Sequence, residues 1–429
     1  MQTHRKVMIT GRGIVSPLGV GLQAHAGGLL TGRSAISRLE TLSSLGVSLS
    51  AAGEVPEGDL VEFVHRIPRK QTKLMNRAGV LAGVASAFAV EEAGLGLVEM
   101  DPTRSGIFLA SWFTAYELPS FIRYLGKTES EKEPHRLDDV KANRNWIEGM
   151  NPVDYSLKVL PNLTAGHLAI LHQAQGHSRL IVDGWRGGLL AVAQAAEAIR
   201  YGELDVVVAG GAEASLEEGI LCDLATFEVM AKDGKDPDRA CRPFDVGRGG
   251  SVIGEGAGFV VLEERDHALK RGATIYGKVT GSASSAPGKG AKREEALIRS
   301  MNKAMADANI SPDEIDLIHA NGDSTVVNDR AEFLAISSVF GSRAPHIPVT
   351  ATKSLHGHLL SAAGAVELIS SLIMLEEGVI SPIANCDSPD PECNLDLVRD
   401  RRRENQGMST VLLNAVGLFG EAASLVIQR

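Results

Sequence analysis

Short apolar runs bounded by glycine or polar residues recur along the chain: Val7 to Ile9, Ile107 to Ala110, Ile181-Val182, Val206 to Ala209, Phe259 to Leu262, Leu317-Ile318 and Val411 to Leu413. None alternates apolar with polar positions, so each reads as a strand covered on both faces. Between many of them lie alanine-rich stretches that predict helices: Ala78 to Ala93, Leu189 to Arg200, Ala296 to Ala308 and Ala362 to Leu375. Strand and helix in alternation predict a layered α/β architecture. From about Trp112 to Asn151 the alternation breaks, with a charged patch at Glu129 to Pro134 and several aromatics.

Composition narrows the function classes. A chain of 429 residues, 44% of them hydrophobic, buries a large core as one large domain or two fused halves. Its formal net charge of -10 argues against non-specific binding to nucleic acid or an anionic membrane, and local basic patches would instead suit an acidic protein partner. Four cysteines, Cys222, Cys241, Cys386 and Cys393, form neither a disulfide framework nor a metal-ligand spacing, so no metal is expected and a reducing, cytoplasmic setting fits. Glycine breaks the first apolar run too early for a signal-peptide core, and no apolar run approaches the roughly 20 residues of a membrane span, so a soluble protein is expected.

The chemistry concentrates at Leu180 to Ala191, where an apolar strand passes through a glycine-flanked turn into an alanine-rich helix. A cysteine or serine at this turn would be activated by the helix N-terminus. The residue there is Trp185, whose indole cannot attack a carbonyl. In order along the chain stand Arg5 to Gly19, Val206 to Glu213, Arg242-Pro-Phe-Asp245, Gly254-Glu-Gly-Ala-Gly258 and Lys353-Ser-Leu-His-Gly-His358. This ordered set resembles the β-ketoacyl-acyl carrier protein synthases of the thiolase-like superfamily. The resemblance implies an α/β thiolase-like fold: duplicated five-stranded mixed sheets in α-β-α-β-α layers. The expected halves are residues 1–255, with the insertion at about 112–151, and residues 256–429.

An active synthase of this family uses a cysteine and two histidines: the cysteine takes the acyl chain as a thioester, and the histidines assist decarboxylation of a malonyl thioester. By the resemblance, Trp185 stands at the cysteine position. In His319-Ala-Asn-Gly-Asp-Ser-Thr325, Asn321 stands at the first histidine position, and an amide cannot shuttle a proton. His358 and Lys353 keep the second histidine motif, while His356 is a surplus imidazole without an assigned role. In Gly417-Leu-Phe-Gly-Glu-Ala422, Leu418 falls at the gating phenylalanine and Phe419 replaces the glycine behind it, so the loop is expected to gate poorly. Asp323 and Glu332 read as hydrogen-bonded supports rather than as an acid–base pair. A sequence error or an engineered knockout would alter the nucleophile alone, so three departures in one site point to a site evolved for inactivity.

The subfamily resemblance is to chain length factors, ketosynthase-like subunits without the active cysteine that pair with an active ketosynthase in type II polyketide assembly. Members often carry glutamine at the elbow, and Trp185 departs from that too, leaving no amide there to stabilise an oxyanion. This implies a heterodimer with an active ketosynthase and a separate acyl carrier protein bearing the phosphopantetheine-bound chain, with no cofactor in this subunit. Trp185 either fills an obsolete acyl cavity or touches the partner's substrate, and Trp112, Phe113, Tyr116 and Phe121 are candidates for the end of the partner's acyl tunnel. The alternative is a homodimeric divergent synthase acting as an acyltransferase or malonyl decarboxylase through His358, Lys353 and a non-family nucleophile.

Overall fold

A computed structural model describes residues 5–39, 51–95, 101–112, 125–130, 136, 138, 140–141, 157–227, 229–231 and 236–429. The apolar runs form strands β1 (Val7–Ser16), β2 (Ser105–Ala110), β3 (Ser178–Ile181), β4 (Val206–Glu213) and β5 (Gly256–Glu264) in the first half. The second half contributes β6 (Gly277–Ser285), β7 (Leu317–His319), β8 (Pro348–Thr350), β9 (Thr410–Val416) and β10 (Ala422–Gln428). The main helices are α1 (Arg77–Glu92), α2 (Pro161–Leu171), α3 (Gly187–Arg200), α4 (Arg293–Asp307), α5 (Val326–Phe340) and α6 (Ala363–Glu377).

Strand order exposes the duplication. The first half runs β3-β2-β4-β5-β1 and the second β8-β7-β9-β10-β6, with parallel and antiparallel pairings falling at equivalent places. The halves are not separate sheets: β1 pairs with β6 through Val7 to Ile9, giving one continuous 12-stranded sheet. Helices α3 and α6 lie in the middle and pack on both halves, α1 and α2 cover the first half, and α4 and α5 cover the second. The expected join at residue 256 needs correction, because β5 begins there and pairs with both β4 and β1. We place the division in the connection between β5 and β6.

Helices α3 and α6 cross in backbone contact. A Cβ on Gly188 would sit 2.7 Å from the Ser361 carbonyl and 2.9 Å from the Ala365 nitrogen, so only glycine fits this crossing. The contact sets the start of α3, and with it the elbow, against the Lys353 to Ser361 segment. Among the described residues no helix is long and apolar enough to cross a membrane.

Candidate active site

The elbow forms where the sequence pattern puts it. Strand β3 ends at Ile181, Gly184 takes a φ of 52°, Gly184–Arg186 make one tight turn, and α3 follows. The turn is tied down on two sides. The Ser361 hydroxyl donates to the Gly184 carbonyl at 2.9 Å, and the Arg186 guanidinium donates to the carbonyls of Ser285 and Ala422 in the other half at 3.1 and 3.2 Å.

Trp185 is 2% exposed and lies among Leu39, Ile220, Leu221, Leu224, Ile253, Leu360 and Leu418. Its ring stands 4.6 Å from that of His358, centroid to centroid, at an interplanar angle of 58°. The His358 Nδ1 accepts the Leu360 N–H at 3.0 Å, so the neutral ring carries its proton on Nε2. Burial, with Lys353 and His356 nearby, pushes this imidazole well below its ordinary pKa. His358 is therefore neutral at pH 7, and neither its Nε2 nor the Trp185 Nε1 has a hydrogen-bond partner. Both are buried N–H donors without a partner, and neither is a base.

Around them the scaffold is closed. The Lys353 Nζ donates to the Glu367 carboxylate at 2.5 Å and to the Asn321 carbonyl at 2.7 Å. Burial raises Glu367 to about 7, against the pull of the ammonium. Both ends of the Asn321 amide are occupied: its oxygen accepts the Val416 N–H at 3.0 Å, and its nitrogen donates to Asp323 at 3.1 Å. Glu332 accepts the backbone N–H groups of Asn321 and Gly322, each at 2.8 Å, and burial raises it to about 6. Asp323 accepts from Thr325, Asn328 and Asn321. Both carboxylates brace the Asn321 loop.

The structure brings Trp185, His358, Lys353, Asn321 and Leu418 together, and it divides the gating loop. Leu418 points into the Trp185 cluster, whereas Phe419 is 67% exposed and meets Phe227 edge-on at 6.4 Å beside a surface cleft of about 370 Å³. Trp112 packs against this chain's own Trp185 cluster. Phe113, Tyr116 and Phe121 lie outside the described residues. Sequence reasoning missed Glu367, the partner of Lys353. Its signal was the single charged residue in the run Ala363 to Leu375.

Trp185→Phe keeps most of the ring packing and removes an unpartnered buried donor, so its stability should lie within about 1 kcal/mol of the parent. Trp185→Ala should cost about 3–5 kcal/mol by opening a cavity. Denaturant unfolding compares them, and a phenylalanine variant as unstable as the alanine variant would mean that the indole N–H has an acceptor.

A duplicated thiolase-like fold with a strand–turn–helix elbow facing a histidine and a buried lysine defines a ketosynthase-type protein. The chain belongs to the β-ketoacyl synthase family: its N-terminal domain matches residues 4–268 and its C-terminal domain residues 273–387. It is 34% identical to Nodulation protein E of Rhizobium leguminosarum bv. trifolii and 33% identical to 3-oxoacyl-[acyl-carrier-protein] synthase 2 of Rhizobium meliloti (strain 1021), with 99% of each chain covered in both cases. A solved structure described as the ishigamide ketosynthase/chain length factor superposes with a TM-score of 0.83 at 29% identity, again over 99% of each chain.

Proposed function

We propose that this chain is a non-catalytic subunit of the chain length factor kind, pairing with an active β-ketoacyl synthase that extends a chain carried on acyl carrier protein. The observation that carries the reading is the elbow: Trp185, at the position that the motif order gives the nucleophile, packs into an apolar cluster and faces a histidine whose unpartnered nitrogen can only donate. With Asn321 bound at both ends, the site has no nucleophile and no proton acceptor of suitable pKa.

We place the partner subunit at strand β3: it ends the described sheet, and Leu160, Ile170 and Val182, on or next to β3 and its covering helix α2, are each at least half exposed. Arg69, Lys70 and Lys73 form an exposed basic cluster on an otherwise acidic chain, which suits an acidic carrier protein.

The test is co-expression with a homologue that has cysteine at the elbow and both histidines. The two chains are expected to co-purify as a heterodimer, with Val182→Glu abolishing the association. A chain that ignores such homologues and forms condensed product by itself would overturn the proposal in favour of a divergent synthase.

A further inference from the structure

The surplus imidazole His356 and a second one, His319, two residues before Asn321, meet at one hydroxyl. His319 Nε2 lies 3.1 Å and His356 Nε2 3.2 Å from the Thr352 Oγ1. At the outer ends, His356 Nδ1 lies 2.7 Å from the Gly357 carbonyl oxygen, and His319 Nδ1 lies 2.8 Å from the Ser371 Oγ. All four side chains are fully buried, and burial lowers both imidazoles to about 3, so they are neutral at pH 7.

Proton counting orders these contacts. A carbonyl only accepts, so His356 carries its proton on Nδ1 and its Nε2 is bare. That nitrogen takes the single proton of Thr352. Thr352, having donated it, accepts from His319, whose proton is therefore on Nε2. His319 Nδ1 is then bare and takes the Ser371 proton. Ser371 also lies 2.9 Å from the Glu367 carbonyl, four residues back in α6, but has no second proton to give and leaves that oxygen to the helix's own N–H.

We infer that His319 and His356 are positioning residues: a one-way chain of hydrogen bonds from Ser371 through His319, Thr352 and His356 to the Gly357 carbonyl fixes both tautomers and holds the turn from which His358 faces Trp185. The chain joins three elements, α6, the end of β7 and the Lys353–His356 turn. Gly357, where it ends, has a φ of 78° and directly precedes His358, whose N–H and carbonyl are bonded to Val252 and Gly254. Both extra histidines are thereby used by the scaffold, whichever subunit role the protein has.

The experiment is nitrogen-detected tautomer spectroscopy on the full-length protein labelled with ¹⁵N-histidine. The parent is expected to show His356 protonated at Nδ1 and His319 at Nε2. Thr352→Val removes the central hydroxyl, so the His319 proton should move completely to Nδ1, where Ser371 accepts it, and the His358 and Trp185 ring signals should shift with the turn. Thr352→Ser should restore the parent pattern. Ser371→Ala supplies a second test should the valine variant not fold: a chain running in the stated direction keeps both tautomers, whereas the reverse direction moves His319 from Nδ1 to Nε2. A parent His319 protonated at Nδ1, or a folded Thr352→Val protein with unchanged His319 and His358 signals, would overturn the inference.

Discussion

A Trp185→Cys variant is expected to condense acyl chains at less than about a thousandth of the rate of a synthase with the full catalytic set, because general acid–base catalysis alone supplies about 10²–10⁴-fold and groups that act as a unit fail together. The new thiol would meet His358, whose Nδ1 is held by the Leu360 N–H and whose basicity burial has removed. The second proton-handling position stays empty, since the Asn321 amide is bound by Val416 and Asp323. His319 cannot stand in: its two nitrogens are committed to Ser371 and Thr352. A condensation assay with carrier-bound substrates, with an authentic synthase as reference, measures the rate. Turnover within tenfold of that reference would sink the cooperative reading, and Trp185→Phe serves as the control for lost packing.

Mild acid should destabilise the fold strongly. His25, His319 and His356 are held to about 3 and His172 to about 4, in every case through burial, while an unfolded chain titrates near 6.5. These depressed histidines favour the fold fully above pH 6.5. Below it the unfolded chain binds protons that the fold refuses, and stability falls by roughly 1 kcal/mol per imidazole per pH unit. Three buried carboxyls act in the opposite direction. Burial raises Glu332 to about 6, Glu367 to about 7 and Asp329 well above its ordinary value, so the folded state takes up their protons first and gains stability as pH drops from about 7 to 4.5. His358 joins the four histidines, which leaves the imidazoles in the majority and the net effect a loss of a few kcal/mol between pH 6.5 and 5. Urea unfolding at a series of pH values reads it directly. Stability that is flat or rising over that interval would contradict the buried neutral cluster.

Strands β1, β2, β4, β5, β7 and β9 were legible because they are buried on both faces and so carry apolar runs. The run Ile181-Val182 is not covered as expected: β3 is exposed at Ser178 and Arg179, and Val182 lies outside it and is exposed. Strand β6 was not legible. Its sequence, Gly-Lys-Val-Thr-Gly-Ser-Ala-Ser-Ser, alternates buried with half-exposed positions and reads as a loop when taken alone. The misplaced join at residue 256 follows from the same limit, since only strand pairing reveals that β5 closes the first half. At the site, Trp185, Asn321, Lys353 and His358 were legible because they stand at fixed places in ordered motifs. The purpose of His319 and His356 was not, because it depends on Ser371 and Thr352, which are joined to them only by folding. The loop residues Leu418 and Phe419 were placed together by the motif, and a difference of direction that spacing does not encode sends one inward and the other to the surface.

The pairing of β1 with β5 also has a cost in time. Val7 lies opposite Glu264, and Val15 opposite Ala257, so during synthesis β1 finds this partner only after roughly 240 further residues have been made. At about 5–20 residues per second that interval is roughly ten to fifty seconds. Its other neighbour, β6, is synthesised later still. For all that time most of this ten-residue strand has unfilled edges, an exposure to wrong pairing during synthesis that the finished sheet no longer shows.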